Sequence, residues 1–230
     1  MYTQYKRELL EACQSLAEQG YFGAQSGSGG NVSVLIEGED RVVITPSGMP
    51  YVNLTEDDLC VVDMEQRRIE GPHEPSVETA LHLSVYRHRR DVNAVVHTHQ
   101  PYASVFAVLN EPIPALFDEV AISIGPTVEV VPYALSGSPE LLANVVSKLD
   151  NRNHCYLMQN HGALSIGVRL DKAVQYAELL EKVAAIYWRA LAAGKPISVL
   201  PDPIPQALFG LVTAKQDAEI ARKDRLLSKE

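Results

Sequence analysis

The stretch Ala94-Val95-Val96-His97-Thr98-His99 reads as a strand that begins apolar and ends polar. Its β-branched run suits the interior of a sheet, and its far end carries two imidazoles to the edge of that interior. Side chains two apart on a strand share a face, so His97 and His99 point the same way and lie close enough to share one ion. Taken alone, a His-x-His pair suits a structural role equally well. Upstream, Pro75-Ser76 opens a helix to about Arg90, with Ser76 as its N-cap. Downstream, Tyr102–Leu109 is helical, Val128–Val131 is extended, and Ser138-Pro139 begins a helix to Leu149 with proline at its first position. Cys155–Met158 and Ala163–Ile166 are two strands flanking Gln159-Asn160-His161-Gly162.

Farther out, Tyr5, Leu9, Cys13, Leu16 and Ala17 recur at helical spacing, predicting a helix over 4–19 that Gly20 closes. The glycine-rich segment from Gly23 to Asn31 feeds a hairpin, Val32–Ile36 and Arg41–Thr45. A strand follows that segment and the third glycine of G-x-G-x-x-G is missing, so it is neither a dinucleotide fingerprint nor a Walker loop. Thr45-Pro46-Ser47-Gly48 is a turn and Leu59–Met64 a short strand. Asp171 caps a long helix with the apolar stripe Val174, Ala177, Leu180, Ala184, Tyr187, ended by Gly194 and Pro196. Residues 195–230 form a proline-containing tail with one more helix, Gln206–Leu227. Helices and strands intersperse without a regular βαβ count. The expectation is a single α/β domain over 1–230 with a central, mostly antiparallel sheet covered by helices.

A chain of 230 residues fits one domain, and 46% hydrophobic residues suffice for a sizeable core, which excludes a disordered tail. Twenty basic against twenty-nine acidic residues, with no long basic run, argue against nucleic acid or an anionic membrane as partner. No apolar stretch approaches the ~18 residues of a spanning helix. Lys6, Arg7, Glu8, Glu11 and Glu18 stand where a signal peptide would be apolar, so a soluble, cytoplasmic protein is expected. Cys13, Cys60 and Cys155 are odd in number and widely spaced, which predicts reduced structural thiols. In that compartment the sequons at Asn31 and Asn53 are chance matches.

A third imidazole, His161, lies in a strand-end loop before a glycine, and shifts the balance from a structural pair toward a metal site. Glu78 is the carboxylate to add. It falls in the first turn of the helix from Ser76, where the dipole favours its ionised form, although a plain helix-start glutamate has the same signature. His82, one turn on, reads as a packed core histidine, and His73, His88 and His154 as exposed.

Gly29-Gly30-Asn31-Val32-Ser33, Thr45-Pro46-Ser47-Gly48, Pro75-Ser76-Val77-Glu78, His97-Thr98-His99 and Asn160-His161-Gly162 occur in the order and spacing of the class II aldolase/adducin family. The chain resembles that family, whose enzymatic type is L-fuculose-phosphate aldolase, from about Tyr5 to Gly194. The resemblance implies an α/β/α sandwich around a central antiparallel sheet, and a homotetramer with active sites between subunits. It implies that His97, His99 and His161 are zinc ligands, with Mn²⁺ or Co²⁺ as other divalent candidates, and that Glu78 is the catalytic carboxylate. It assigns Asn31, Ser47, Gly48 and Ser76 to the substrate phosphate. Two departures stand out. Val77 replaces the second serine of Pro-Ser-Ser-Glu, which removes one hydroxyl donor to the phosphate. In Ile113-Pro114-Ala115-Leu116-Phe117-Asp118-Glu119, Asp118 aligns with the tyrosine that serves the fuculose-phosphate enzyme as proton donor.

The implied activity is that of a divalent-metal lyase cleaving a C–C bond next to a carbonyl through an enediolate, with Glu78 shuttling the proton. Retro-aldol cleavage of a short sugar phosphate comes first. Decarboxylation of a keto sugar acid is the runner-up, and pentulose-phosphate epimerisation and dehydration share the same site. A non-catalytic adducin-like binding module is the contrasting class; the intact histidines and Glu78 argue against it.

Overall fold

Val42, Ile44, Cys60, Val62 and Val95 pack into one buried cluster, while their alternate neighbours Val34, Val43, Val61 and Val96 pack into another. A sheet buried on both faces needs helices on both, which makes three layers. The computed structural model describes residues 2–23 and 29–227. Its strands are β1 (Asn31–Leu35), β2 (Arg41–Ile44), β3 (Cys60–Asp63), β4 (Arg68–Glu70), β5 (Ala94–Thr98), β6 (Ile113–Pro114), β7 (Thr127–Val131), β8 (Cys155–Met158) and β9 (Gly162–Gly167). They form one nine-stranded sheet among the described residues, in the order β4-β3-β2-β1-β5-β9-β8-β7-β6. Every pairing is antiparallel except β7 with β8. The expected mostly antiparallel α/β sandwich is the observed architecture.

On one face lie α1 (Thr3–Glu18), α3 (Pro101–Leu109) and α6 (Leu170–Ala192), which bury Leu9, Cys13, Phe106 and Leu180 against the sheet. On the other lie α2 (Thr79–His88) and α5 (Pro139–Val146), whose Leu81, Val85, Leu141 and Val145 meet Val95, Tyr156 and Leu164. The short α4 (Asp118–Ser123) packs against the C-terminal helix α7 (Ile204–Leu227). The three cysteines are buried and unpaired, as expected. Residues 24–28 of the glycine-rich segment lie outside the described residues.

Local readings change at several points. Helix α2 begins at Thr79, with Glu78 at its N-cap position, because Ser76 is used in a turn before it: its Oγ accepts from Glu78 N and its carbonyl from Thr79 N. Ser76 is therefore not the N-cap, and Glu78 precedes the first turn. Arg169, not Asp171, occupies the N-cap position of α6, and the Asp171 carboxylate instead takes the Arg169 guanidinium. His154 is buried, not exposed, since α7 lays Gln216 over it. His73 is half-buried, with Nε2 2.9 Å from Asp58 Oδ1, whereas His88 is exposed as predicted.

Candidate functional site

The site forms where β1 and β5 run out of the sheet. Antiparallel register sets Asn31 opposite His97, and side-chain alternation puts Asn31, Ser33 and His97 on the face covered by α2. Helix α2 contributes Glu78 at its start and His82 one turn later. His82 is fully buried beneath the site, with Nδ1 2.7 Å from Ser33 Oγ, as a packed core histidine should be. His99 follows β5 directly, its backbone N–H bonded to Tyr21 O at 2.7 Å. His161 comes from the turn between β8 and β9, where Asn160 takes the left-handed conformation at φ 54°.

His97, His99 and His161 bring one ligating atom each to within 4.8 Å of one another. His97 Nδ1 lies 2.9 Å from Ala163 O and must donate to it, so Nε2 keeps its lone pair. That nitrogen is 3.1 Å from His99 Nε2 and 3.3 Å from Glu78 Oε2. His161 Nε2 is 3.5 Å from Glu78 Oε1. The carboxylate also accepts from Asn31 Nδ2 on Oε2 and from Ser136 Oγ on Oε1, both at 2.8 Å.

Burial pushes the Glu78 carboxyl up, but His97, the Asn31 amide, His161 and the Ser136 hydroxyl outweigh it and hold the group ionised, well below the usual carboxylate range. For the imidazoles burial dominates: it pushes His97 down to about 4 against the pull of Glu78, and lowers His99. Both rings are therefore neutral at pH 7, the form that ligates metal. Neutral imidazole nitrogens and an anionic oxygen gathered around one point fit a divalent cation.

Glycine makes this closeness possible. A Cβ on Gly162 would stand 2.5 Å from Thr98 O and 2.6 Å from His99 Cδ2, and one on Gly29 would stand 2.7 Å from His99 Nδ1. Gly30, at φ 78°, would drive a Cβ to 2.3 Å from His97 O. The glycines thus let three backbone segments close around the histidines.

The segments that carry the expected phosphate residues are joined to one another by backbone contacts. Ser47 N bonds Glu74 O, Ser76 N bonds Thr45 O, and Pro46 bridges Pro75, so the Thr45–Gly48 turn and the Ser76 segment are laced together next to Asn31. Ser47 and Gly48 are exposed, and Gly48 sits at φ 68°. Val77 is 71% exposed. Asp118 is not brought to the histidines by any contact within the described chain: it is an exposed residue at the start of α4, and its neighbour Glu119 pairs with Lys182. Ser136 is the contact that sequence reading missed. It precedes Gly137-Ser138-Pro139, whose reading as a helix start drew attention to Ser138 alone.

Residues 7–188 match the Class II Aldolase and Adducin N-terminal domain. The chain belongs to the class II aldolase and adducin family. The L-fuculose phosphate aldolase of Escherichia coli (strain K12) is 36% identical to this family member over 196 residues, 85% of this chain and 88% of that protein. The 5-methylthioribulose-1-phosphate/5-deoxyribulose-1-phosphate aldolase of Rhodospirillum rubrum is 34% identical over 212 residues, 92% and 93% of the two chains. A solved L-fuculose 1-phosphate aldolase superposes with a TM-score of 0.83 at 34% identity, covering 90% of this chain and 95% of that one. Among the described residues no helix is long and apolar enough to cross a membrane.

Proposed function

We propose that this class II aldolase is a divalent-metal lyase that cleaves a short sugar phosphate by a retro-aldol reaction. The observation that carries the reading is the convergence of three imidazoles and one ionised carboxylate at the end of β5. His97, His99 and His161 would hold the cation, with zinc the first choice for an all-imidazole donor set. When bound, such an ion supplies a Lewis acid that polarises a carbonyl and stabilises the negative charge left when the C–C bond breaks.

The chain's own residues do the rest. Glu78, anionic at neutral pH, takes the proton from the hydroxyl next to the breaking bond and returns one to the carbon left behind. Asn31 donates to one oxygen of its carboxylate and Ser136 to the other. Asn31, Ser47, Gly48 and Ser76 supply neutral donors for the phosphate, and Asp118 is assigned as an acid contributed at a subunit boundary. The reading includes one domain per chain, a homotetramer with interfacial sites and a cytoplasmic location; the relatives' names, all sugar-phosphate aldolases, support the substrate class.

Exposed Val77, which cannot donate a hydrogen bond, favours decarboxylation of a keto sugar acid as the second reading. The experiment that separates them incubates metal-loaded protein with a panel of ketose phosphates and keto sugar acids, and assays aldehyde and carbon dioxide in parallel. Aldehyde from a ketose phosphate is expected; carbon dioxide without aldehyde would replace the first reading by the second.

A further inference from the structure

We propose that Ser136 is a positioning residue for Glu78, fixing one carboxylate oxygen while Asn31 fixes the other. The proposal rests on Glu78 being the proton carrier. Each oxygen of that carboxylate has one neutral donor and one imidazole neighbour: Oε2 has Asn31 Nδ2 at 2.8 Å and His97 Nε2 at 3.3 Å. Oε1 has Ser136 Oγ at 2.8 Å and His161 Nε2 at 3.5 Å. With only the Asn31 bond, the carboxylate would be free to turn about its own stem toward the histidines. Two donors on opposite oxygens fix its plane.

Ser136 is itself exposed, and a hydroxyl there is ordinarily spent on water. Here it reaches a carboxylate only 4% exposed. The turn that carries it is held at both ends. Ser138 N bonds Leu135 O at 2.9 Å across Gly137, which takes φ 75°, and Ser138 Oγ then caps α5 by accepting from Leu141 N. On the upstream side Tyr133 N donates to Gln159 Oε1, and Gln159 N donates to Val131 O, both at 3.0 Å. Gln159 lies two residues before His161. The loop bearing Ser136 is therefore tied to the turn bearing His161, and both deliver a group to the same oxygen of Glu78. Such support from a rigid neighbour is what holds a catalytic group within reach of its proton.

The test compares Ser136→Ala and Ser136→Thr in the wild-type and Glu78→Gln backgrounds, with a crystal structure of Ser136→Ala. In the wild-type background Ser136→Ala should lower kcat about tenfold, equivalent to about 1.4 kcal/mol, with KM within about twofold. Metal content and thermal midpoint should not move, and Ser136→Thr, which keeps the hydroxyl, should restore most of the rate. In the Glu78→Gln background the Ser136→Ala change should cost nothing further, because it acts through Glu78. In the crystal the Glu78 carboxylate should be rotated from its wild-type plane. A wild-type kcat in Ser136→Ala, an equal loss in both backgrounds, or an unrotated carboxylate would overturn the proposal. If the wild-type protein cleaves no substrate but the carboxylate rotates, the assigned reaction is wrong and the positioning contact stands.

Discussion

Gly162→Ala adds a single methyl group at the most crowded point of the site. The new Cβ would lie 2.5 Å from Thr98 O, 2.6 Å from His99 Cδ2 and 3.1 Å from His97 Cε1. The first of these is backbone on the adjoining strand, where Thr98 pairs with Ala163, so it cannot swing aside. Relief must come from spreading β9 from β5 or from moving the two rings. Overpacking of this kind costs roughly 1–3 kcal/mol, and for a chain of this size each kcal/mol lowers the melting temperature by about 2–4 °C. A drop of about 2–12 °C follows. Displacing two imidazoles should also weaken metal binding by roughly 10- to 100-fold, the range seen when support around a ligand is lost. Thermal unfolding and competition with a chelator read the two effects separately. Gly210→Ala is the control, because it lies in α7 with nothing within 4 Å of the added methyl and should be neutral or slightly stabilising. A Gly162→Ala protein with wild-type melting and wild-type metal affinity would show that glycine is not needed for closure.

Two further outcomes are expected. Glu78→Gln should retain fold and metal content while turnover falls by roughly 10²- to 10⁴-fold, since the amide keeps the shape but accepts no proton; turnover at the wild-type rate would remove Glu78 from the chemistry. Stability should fall as pH drops from about 6.5 toward 4, because burial pushes His154 down to about 4 and the unfolded chain takes up a proton that the folded protein refuses. In the folded state His154 Nδ1 donates to Ser123 O and Nε2 accepts from Gln216, which leaves no place for a second proton. His154→Asn should therefore flatten the dependence by about 1.4 kcal/mol per pH unit in that window, read by denaturant unfolding, and an unchanged slope would exclude His154 as the source.

The parts of this structure that were legible in sequence are those set by local periodicity. The alternation in Ala94–His99 placed two imidazoles on one face, and the rings stand 4.8 Å apart, centre to centre. The stripes of α1 and α6 gave helices whose ends shift by one residue in α1 and by two at the start of α6. What was not legible depends on contacts made at long range. Strand β4 is exposed at every position and β6 has two residues, so neither carries a hydrophobic pattern to read. His154 looked like a surface residue because the helix that buries it arrives 62 positions later with Gln216. Ser136 could not be tied to Glu78, 58 positions away, until both loops closed over the end of the sheet. Helix α2 starts later than its sequence pattern suggests because the Ser76 hydroxyl accepts from Glu78 N in the turn before the helix and does not cap it. The same shift puts Glu78 at the mouth of α2 and not within its first turn.

The proposed metal centre requires that His97, His99 and His161 hold one divalent cation on which activity depends. Elemental analysis of the purified protein and of His97→Ala, His99→Ala and His161→Ala, each dialysed against the same metal-containing buffer, measures it directly. About one cation per chain is expected in the wild type and in His82→Ala, since the native His82 ring packs on Ser33 outside the triad, with a large loss in each of the other three. Full metal content in all three triad variants would contradict it.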